Sequence, residues 1–239
     1  MMLWTTGCSH TYGDDLEYKK QAWPFLLATK LGIECTNNAV SGGSNERIVY
    51  ETLKSEKCDL VIIAWTYKER FTRYDKNNFQ INFNPQLKHT LYSDKAEFVD
   101  YGKLHYAYWQ NTLYSFKLWL QQIILLQNYL KQNNQRYLML NAAYNQYDIF
   151  VTKQENFNDS VRDYVCFDQM NDDQLLAEYS EIQKYIDMID TRCYYNISQF
   201  HITDLHKCYA TGSTGHLMEE GHEEIANRLY SCSNLILSQ

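Results

Sequence analysis

Two polar residues near opposite ends of the chain have the side chains that nucleophilic catalysis requires. Ser9 lies in the stretch "GCSHTYGDD", directly after the apolar run that begins at Met2, and His216 lies in "TGSTGHLMEEGH". A serine hydroxyl is a poor nucleophile until a base takes its proton, and histidine titrates near neutral pH. The two need not be close in sequence, because such a site is defined by its geometry. Ser9 therefore has two interpretations, a tight structural turn and a nucleophile held at the edge of a sheet.

Short apolar runs along the chain predict buried strands, and the segments between them have helical periodicity. The predicted strands are Met2–Thr6, Cys35–Val40, Leu60–Thr66, Tyr137–Asn141 and Cys193–Ile197. The predicted helices lie near Trp23–Leu31, Ser44–Leu53, Tyr108–Gln132, Asp173–Ile189 and Leu217–Leu235, and the second has Ser44 or Asn45 as its N-cap. Strands that alternate with helices predict a parallel sheet covered on both faces. The expected fold class is α/β, a three-layer α/β/α sandwich with about five parallel strands.

Two stretches do not follow this alternation, residues 67–106 and residues 145–170. The first is polar, aromatic and nearly strand-free by pattern. Segments of this length without obvious elements are usually functional caps or mobile loops. Because no repeat, low-complexity tract or linker interrupts the sequence, we expect a single domain, residues 1–239, with an aromatic-rich insertion at about residues 67–106 that shapes the substrate pocket.

The composition excludes several classes of partner. The net charge of −7, with basic residues scattered along the chain, argues against a nucleic-acid partner. The seven cysteines are odd in number and form no CxxC pair, which is typical of reduced thiols in an intracellular protein. No signal peptide is visible, and the longest apolar run, Ile123–Leu126, is too short to span a membrane, so we expect a cytoplasmic protein. The abundance of Tyr, Asn and Gln suggests an AT-rich genome, such as that of a virus or phage.

Polar loops follow the first three predicted strands, at the sheet edge where ligands gather in parallel sheets. Together with the segment before the last helix, they resemble the sequence blocks of the SGNH hydrolases, also called the GDSL esterase/lipase family. "GCSHTYG" is similar to the first block and places Ser9 at the nucleophile. "NNAVSGGSN" is similar to the second and places Gly42 at the oxyanion-hole glycine. "GHLMEEGHEEIA" is similar to the last and places His216 at the catalytic base.

The resemblance implies a flavodoxin-like SGNH hydrolase fold and a serine esterase. The implied reaction is hydrolysis of a carboxylic ester through an acyl-enzyme on Ser9, with His216 as the base. The family includes esterases, lipases and carbohydrate O-deacetylases, so the implied substrate is a small-molecule or carbohydrate ester. This chemistry requires no metal and no organic cofactor.

The expected oxyanion hole contains the backbone N–H groups of Ser9 and Gly42, each worth about 10²–10³ in rate. The family's third block supplies an asparagine side chain, whose position falls near Tyr67 in "AWTYKER". Cys8 also stands where the first block has an aspartate. We therefore name Asn45 as the candidate for the missing amide donor.

The family's orienting acid lies two or three residues before the catalytic histidine. Thr214 and Ser213 stand at those positions in this chain. Without an acid the histidine is less polarised, at a large cost in rate. We name Asp204 as the candidate that replaces it.

The alternative function is a catalytically weakened SGNH-fold or flavodoxin-like module that binds a glycan or another small ligand. "SGGSNER" could cradle a phosphate at a helix N-terminus, but it lacks the lysine of a P-loop. His201, His206 and Cys208 fit no common zinc spacing, so no metal site is predicted. We expect His10 to pack against the sheet and His222 to be structural.

Overall fold

The computed structural model describes residues 1–74, 80–84, 89–90, 96–109, 112–143, 172–196 and 200–238. The predicted irregular stretch 145–170 lies outside these residues. The strands are β1 (Met2–Thr6), β2 (Glu34–Asn37), β3 (Leu60–Trp65), β4 (Phe71–Tyr74), β5 (Gln80–Asn84), β6 (His89–Thr90) and β7 (Tyr137–Asn141). The helices are α1 (Ser9–Tyr12), α2 (Trp23–Leu31), α3 (Asn45–Leu53), α4 (Ala96–Leu104), α5 (Thr112–Gln132), α6 (Asp172–Asp187) and α7 (Glu219–Leu237).

The main sheet has the strand order β2-β1-β3-β7, and every neighbouring pair is parallel. The chain runs outward from β1 to β2 and then returns past β1 to β3. The direction of winding therefore reverses between β1 and β3. In open parallel sheets this reversal opens a crevice for ligands at the carboxyl ends of the strands.

Both faces of the main sheet are buried, which is why its strands are continuously apolar. Successive side chains of a strand point to opposite faces. In β3, Val61, Ile63 and Trp65 belong to one hydrophobic cluster, and Leu60, Ile62 and Ala64 belong to the other. Helices α3, α5 and α6 contribute to the first cluster, and α2 and α7 to the second. The predicted three-layer α/β/α sandwich is confirmed.

The main sheet has four strands in the part of the chain that the structure describes, rather than about five. Within the predicted strand Cys193–Ile197, Tyr194 forms a single parallel bridge with Met139 of β7. Asn196 then has a φ of 41°, in the left-handed region, which ends the extended conformation. A second parallel bridge joins His201 to Asn141. Two isolated bridges to β7 therefore lie where the fifth strand was predicted.

The prediction that residues 67–106 are nearly strand-free is wrong. They contain an antiparallel sheet of order β4-β5-β6, followed by α4. Phe71 pairs with Phe83 across β4 and β5, and their rings stack with centroids 4.4 Å apart. With Ile81, these side chains form a small separate core against which Phe98 and Tyr101 pack. Strands this short between polar residues produce a weak apolar pattern, although "QINFN" does alternate.

The small sheet is joined by polar contacts to the loop between β2 and α3. Ser44, one of the two N-caps that the sequence allows, caps α3 by accepting a hydrogen bond from the Arg47 N–H. The Ser44 hydroxyl lies 2.7 Å from the Thr72 hydroxyl of β4, and Glu46 accepts from the Thr72 N–H at 2.9 Å. The insertion therefore braces the loop that carries Gly42. Among the described helices, none combines the length and the apolar character needed to cross a membrane.

Substitution of Ile62 tests whether β3 lies at the centre of the sheet, buried on both faces. Its side chain is fully buried, so Ile62→Ala should lower the free energy of unfolding by about 2–5 kcal/mol, measured by urea denaturation. Leu235→Ala in α7 is the control, because Leu235 is 63 % exposed and its truncation should cost about 0.5 kcal/mol or less. Equal losses in the two variants would contradict the described core.

Candidate functional site

A cavity of about 700 Å³ lies where the loops after β1 and β3 meet the segment before α7. Its lining includes Ser9, Asp15, Gly42, Tyr67, Arg70 and His216. Ser9, Gly42 and His216, which come from three separate sequence blocks, therefore share one cavity. The cavity lies at the edge of the sheet that the strand order predicts.

Ser9 is the first residue of α1, immediately after the turn that ends β1. A Cβ on Gly7 would lie 2.4 Å from the Thr11 Oγ1, so only glycine permits α1 to fold back this tightly. Ser9 is 3 % exposed yet lines the cavity. As the first N–H of a helix, the Ser9 N–H has no acceptor within the helix. Among the described residues the Ser9 N–H donates to no backbone acceptor, so it is available to an oxygen atom in the cavity.

Gly42 lies in the loop between β2 and α3. Hydrogen bonding ties this loop to the loop after β1, because the Ser41 hydroxyl donates to Asp14 at 2.5 Å. Within the described part of the chain, the Gly42 N–H has no hydrogen-bond acceptor. Gly42 thus offers a second unpaired backbone donor beside the same cavity.

His216 lies in a tight hairpin before α7. Thr211 and Leu217 form an antiparallel bridge, and the Gly212 N–H donates to the His216 carbonyl at 2.8 Å. Burial lowers the pKa of His216, the nearby carboxylates of Asp14 and Asp15 oppose this shift, and the charge of Arg70 adds to it. The imidazole is therefore neutral at neutral pH, as a general base must be.

No hydrogen bond joins the Ser9 Oγ to His216 in the described structure. His216 instead bonds through its Nδ1 to the Thr214 hydroxyl at 2.8 Å. Hydrogen bonds between catalytic groups are often long before substrate binds and shorten in the substrate complex. The structure brings the two predicted residues into one cavity and does not join them directly.

Asp15 is the carboxylate at this end of the cavity. Its Oδ2 accepts from the Thr214 hydroxyl at 2.8 Å, from the Thr214 N–H at 2.9 Å and from the His216 N–H at 3.2 Å. The same oxygen lies 3.8 Å from the His216 Nδ1, and the Asp15 side chain is only 9 % exposed. Burial alone raises the pKa of Asp15, but these hydrogen bonds and the neighbouring His216 outweigh it and lower the pKa. Asp15 is therefore ionised at neutral pH.

The hydrogen bonds assign the protons of this group. An ionised carboxylate accepts only, so the Thr214 hydroxyl donates its proton to Asp15. The Thr214 oxygen is then the acceptor, and the His216 Nδ1 carries the donated hydrogen. This leaves the Nε2 of His216 unprotonated and able to take a proton in the cavity.

The close approach of Asp15 to the hairpin depends on backbone geometry at two positions. Asp15 has a φ of 67°, in the left-handed region that aspartate tolerates better than most residues. A Cβ on Gly212 would lie 2.4 Å from the Asp15 Cβ, so only glycine fits opposite it. Such sparsely populated backbone conformations cluster at functional sites.

The two further candidates named from the sequence have other contacts. The Asn45 amide donates to the Thr66 carbonyl at 3.1 Å and accepts from the Thr66 N–H at 2.9 Å, so it clamps the loop after β3. Asp204 pairs with the His201 Nε2 at 3.2 Å and with the Lys207 Nζ at 3.4 Å. Neither Asn45 nor Asp204 lines the Ser9 cavity.

His10 and His222 lie in different environments. His10 lines the cavity with its ring centroid 4.8 Å from that of His216 and 5.4 Å from that of His206. Burial and then these neighbouring rings hold the pKa of His10 well below its usual value. His222 accepts from the Trp23 N–H at the start of α2, and burial lowers its pKa to about 4, which fits the expected structural role. Across the described ranges, no three His, Cys, Asp or Glu side chains cluster as metal ligands do.

Asp15, Thr214 and Arg70 belong to the site, although the sequence pattern assigns no role to them. Asp15 stands in the stretch that contains Ser9, but the family pattern directs the search for an acid to the positions before the histidine. Catalytic groups are recognised by geometry and role, and their order along the chain varies between folds. An acidic residue in the nucleophile loop was the available signal.

Solved structures show a fold similar to that of this chain. The psychrotrophic esterase EstA from Pseudoalteromonas sp., in a structure inhibited by monoethylphosphonate, has a TM-score of 0.51 and 10 % identity over 100 % of this chain and 99 % of its own. TesA has a TM-score of 0.50 and 11 % identity over 99 % of each chain. A protein assigned to the lipolytic G-D-S-L family from Desulfitobacterium hafniense DCB-2 has a TM-score of 0.48 and 11 % identity over 97 % of this chain and 98 % of its own. At such low identities, the likeness to EstA and TesA is one of fold.

Sequence comparison assigns the chain to a family without assigning a function. Residues 10–172 match the family of unknown function DUF6071, and the chain belongs to that family. The matched residues include Asp15, Gly42 and Arg70 but not Ser9 or His216. No curated protein matches the sequence.

The charge of Asp15 should stabilise the folded protein in a pH-dependent way. Its pKa is lowered on folding, so the ionised form contributes stability above its ordinary pKa, and this contribution is lost as the pH falls through the lowered value. Asp15→Asn should therefore reduce the free energy of unfolding most at pH 7, with a smaller difference from the wild type at about pH 3. Urea denaturation at both pH values measures this, and a difference that does not change with pH would contradict the assigned ionisation.

Proposed function

We propose that this protein is a serine hydrolase that cleaves a carboxylic ester through an acyl-enzyme on Ser9. The observation that carries the proposal is the hydrogen-bonded chain His216–Thr214–Asp15, which ends in the same cavity as Ser9. A base held in one tautomer by a carboxylate, near a serine at the start of a helix, is the arrangement that nucleophilic catalysis uses. The fold similarity to the esterase EstA supports the reaction class.

In the proposed acylation, the His216 Nε2 takes the proton of Ser9 as the Oγ attacks the ester carbonyl carbon. The carbonyl oxygen becomes an oxyanion, which accepts hydrogen bonds from the Ser9 and Gly42 N–H groups. Collapse of this intermediate breaks the bond to the alcohol, which leaves with the proton held by His216. A water molecule, activated by the same nitrogen, then attacks the acyl-enzyme and releases the acid and free Ser9.

Asp15 acts through Thr214 in this proposal. The His216 Nδ1 lies 3.8 Å from the Asp15 Oδ2, with the Thr214 hydroxyl bonded to both groups. When His216 is protonated, its positive charge is therefore close to the carboxylate. The hydroxyl fixes the ring and its tautomer, and the carboxylate stabilises the imidazolium. This arrangement takes the place of the acid that the family pattern puts at positions 213 and 214.

The cavity favours a compact polar substrate, either a small-molecule ester or a carbohydrate ester. Its lining contains carboxylates, histidines, hydroxyl groups and the Arg70 guanidinium. A long acyl chain requires a continuous apolar wall, because burying charged groups against methylene groups leaves them without partners. Esterase or O-deacetylase activity is therefore preferred over lipase activity.

Labelling with a fluorophosphonate probe tests the nucleophile. At neutral pH the probe should modify Ser9, identified by peptide mass spectrometry, because an activated serine attacks phosphorus much faster than an ordinary one. Ser9→Ala should abolish both the label and the turnover of p-nitrophenyl acetate. Ser233→Ala is the matched control, since Ser233 is buried in α7 outside the cavity.

A folded protein that takes no label and turns over no ester would favour the alternative, a module that binds a glycan or another small ligand. Activity that survives in Ser9→Ala would place the chemistry at another residue.

The orienting group is tested by Asp15→Asn and Thr214→Val. Each substitution breaks the link between His216 and the carboxylate, so each should lower kcat for p-nitrophenyl acetate by about 10- to 1000-fold. Because the two residues act as one unit, the double variant should lose little more than either single variant. Steady-state kinetics at pH 7.5 provide the measurement, with melting temperatures to establish folding.

Asp204→Asn discriminates between the two candidate acids. Its carboxylate pairs with His201 and Lys207, so its loss should affect kcat far less than the loss of Asp15. A larger loss in Asp204→Asn than in Asp15→Asn would return the orienting role to Asp204.

A further inference from the structure

One buried cation in the described structure lacks a carboxylate partner. Among the described Lys and Arg residues, three are buried, each only 8 % exposed: Arg47, Lys68 and Arg70. Arg47 pairs with Glu51 at 3.8 Å, and Lys68 pairs with Glu69 at 2.5 Å. Among the described residues, no acidic side chain lies within ion-pair distance of the Arg70 guanidinium.

The Arg70 side chain is held in place and still has unused donors. Its Nη1 donates to the Thr66 hydroxyl at 3.1 Å, and its Cζ lies 4.9 Å from the ring centroid of Tyr67. The Nε is fully buried and has no hydrogen-bond partner among the described residues. A guanidinium carries five N–H donors in a rigid planar fork, so most of its capacity is unfilled here.

An unpaired buried charge is costly, because it has lost solvation without gaining a counter-ion. A protein can retain an unpaired charge in its unbound state if a ligand of opposite charge pairs with it on binding. Arg70 lines the same cavity as Ser9 and His216, and its charge is close enough to lower the pKa of His216. A molecule that enters this cavity therefore meets a guanidinium that has no counter-ion among the described residues.

We propose that Arg70 binds a carboxylate on the substrate, so that the preferred esters are monoanions. The planar guanidinium fork matches a carboxylate, and the pair is strengthened by burial. Asp14 and Asp15 also line the cavity, and their negative charges disfavour a dianion such as a phosphate monoester. This inference rests on the proposed function, because it assigns the substrate class of the same site.

The competing role for Arg70 is stabilisation of the oxyanion at the reacting carbonyl. An oxyanion-hole donor acts on every ester, whether or not the ester carries a second charge. A receptor for the substrate carboxylate acts only on charged esters. The two roles are separated by a pair of substrates that share the scissile ester, one with a free carboxylate and the other with that carboxylate masked as a methyl ester.

The test compares 4-acetoxybenzoate with methyl 4-acetoxybenzoate, which share the scissile acetyl ester. In Arg70→Gln, the ratio of kcat/KM for the charged over the neutral ester should fall by about 10- to 100-fold, as expected when a charged hydrogen bond is lost. Arg70→Lys keeps the positive charge but lacks the planar guanidinium fork, so its ratio should lie between those of the wild type and Arg70→Gln. Arg73→Gln is the control: Arg73 is half-exposed, pairs with Glu46 and lies outside the Ser9 cavity, so the ratio should not change.

A binding measurement separates this inference from the proposed function. Calorimetric titration of 4-acetoxybenzoate into Ser9→Ala protein should give a Kd that weakens by about 10-fold or more in Ser9→Ala/Arg70→Gln. This comparison holds even if the wild type hydrolyses neither ester and takes no fluorophosphonate label, which is the failure of the proposed function. Equal Kd values with and without Arg70, or an unchanged ratio of kcat/KM in Arg70→Gln, would overturn the inference. If the glutamine variant does not fold, the lysine variant decides by the same two measurements.

Discussion

The architecture of the site depends on one carboxylate that joins the first loop of the chain to the last. Asp15 accepts three hydrogen bonds from Thr214 and His216, and it does so from a left-handed backbone conformation opposite Gly212. These contacts fix the hairpin before α7, and the hairpin fixes His216. Without the Asp15 carboxylate, two backbone N–H groups and a hydroxyl would lack their acceptor. The position of the hairpin therefore depends on the ionised state of Asp15.

The sandwich was predictable from the sequence because its strands are buried on both faces. β1 and β7 have the predicted bounds, and α3 begins directly after Ser44, one of its two predicted caps. The small antiparallel sheet was not predictable in the same way. Its strands span two to five residues, and its core is made largely of aromatic rings that also suit a loop. Apolar periodicity detects helices and strands that bury one continuous face. It gives only a weak signal for short strands whose shared core consists of a few aromatic rings.

The cavity was predictable to a similar extent. The placement of Ser9, Gly42 and His216 around one cavity follows from the order of the strands, which brings the loops after β1 and β2 and the segment before α7 together. Asp15 was not predictable, because its role depends on a φ of 67° and on the space left by Gly212. Asn45 has the right side chain at the right end of α3, but its amide is already occupied by the Thr66 backbone. A sequence gives the type of a polar group and not the identity of its partner.

The position of the hairpin along the chain also governs when the site can form. Asp15 precedes His216 by 201 residues in the sequence, and α7 follows the hairpin that contains His216. Domains generally fold as units during synthesis, and here the proposed nucleophile and base unite only when α7 packs beside α2. A chain whose sheet has formed before the hairpin docks thus has the serine loop without its base. Under the proposed mechanism, hydrolytic competence would appear when the hairpin and α7 dock and would not build up gradually as the strands pair.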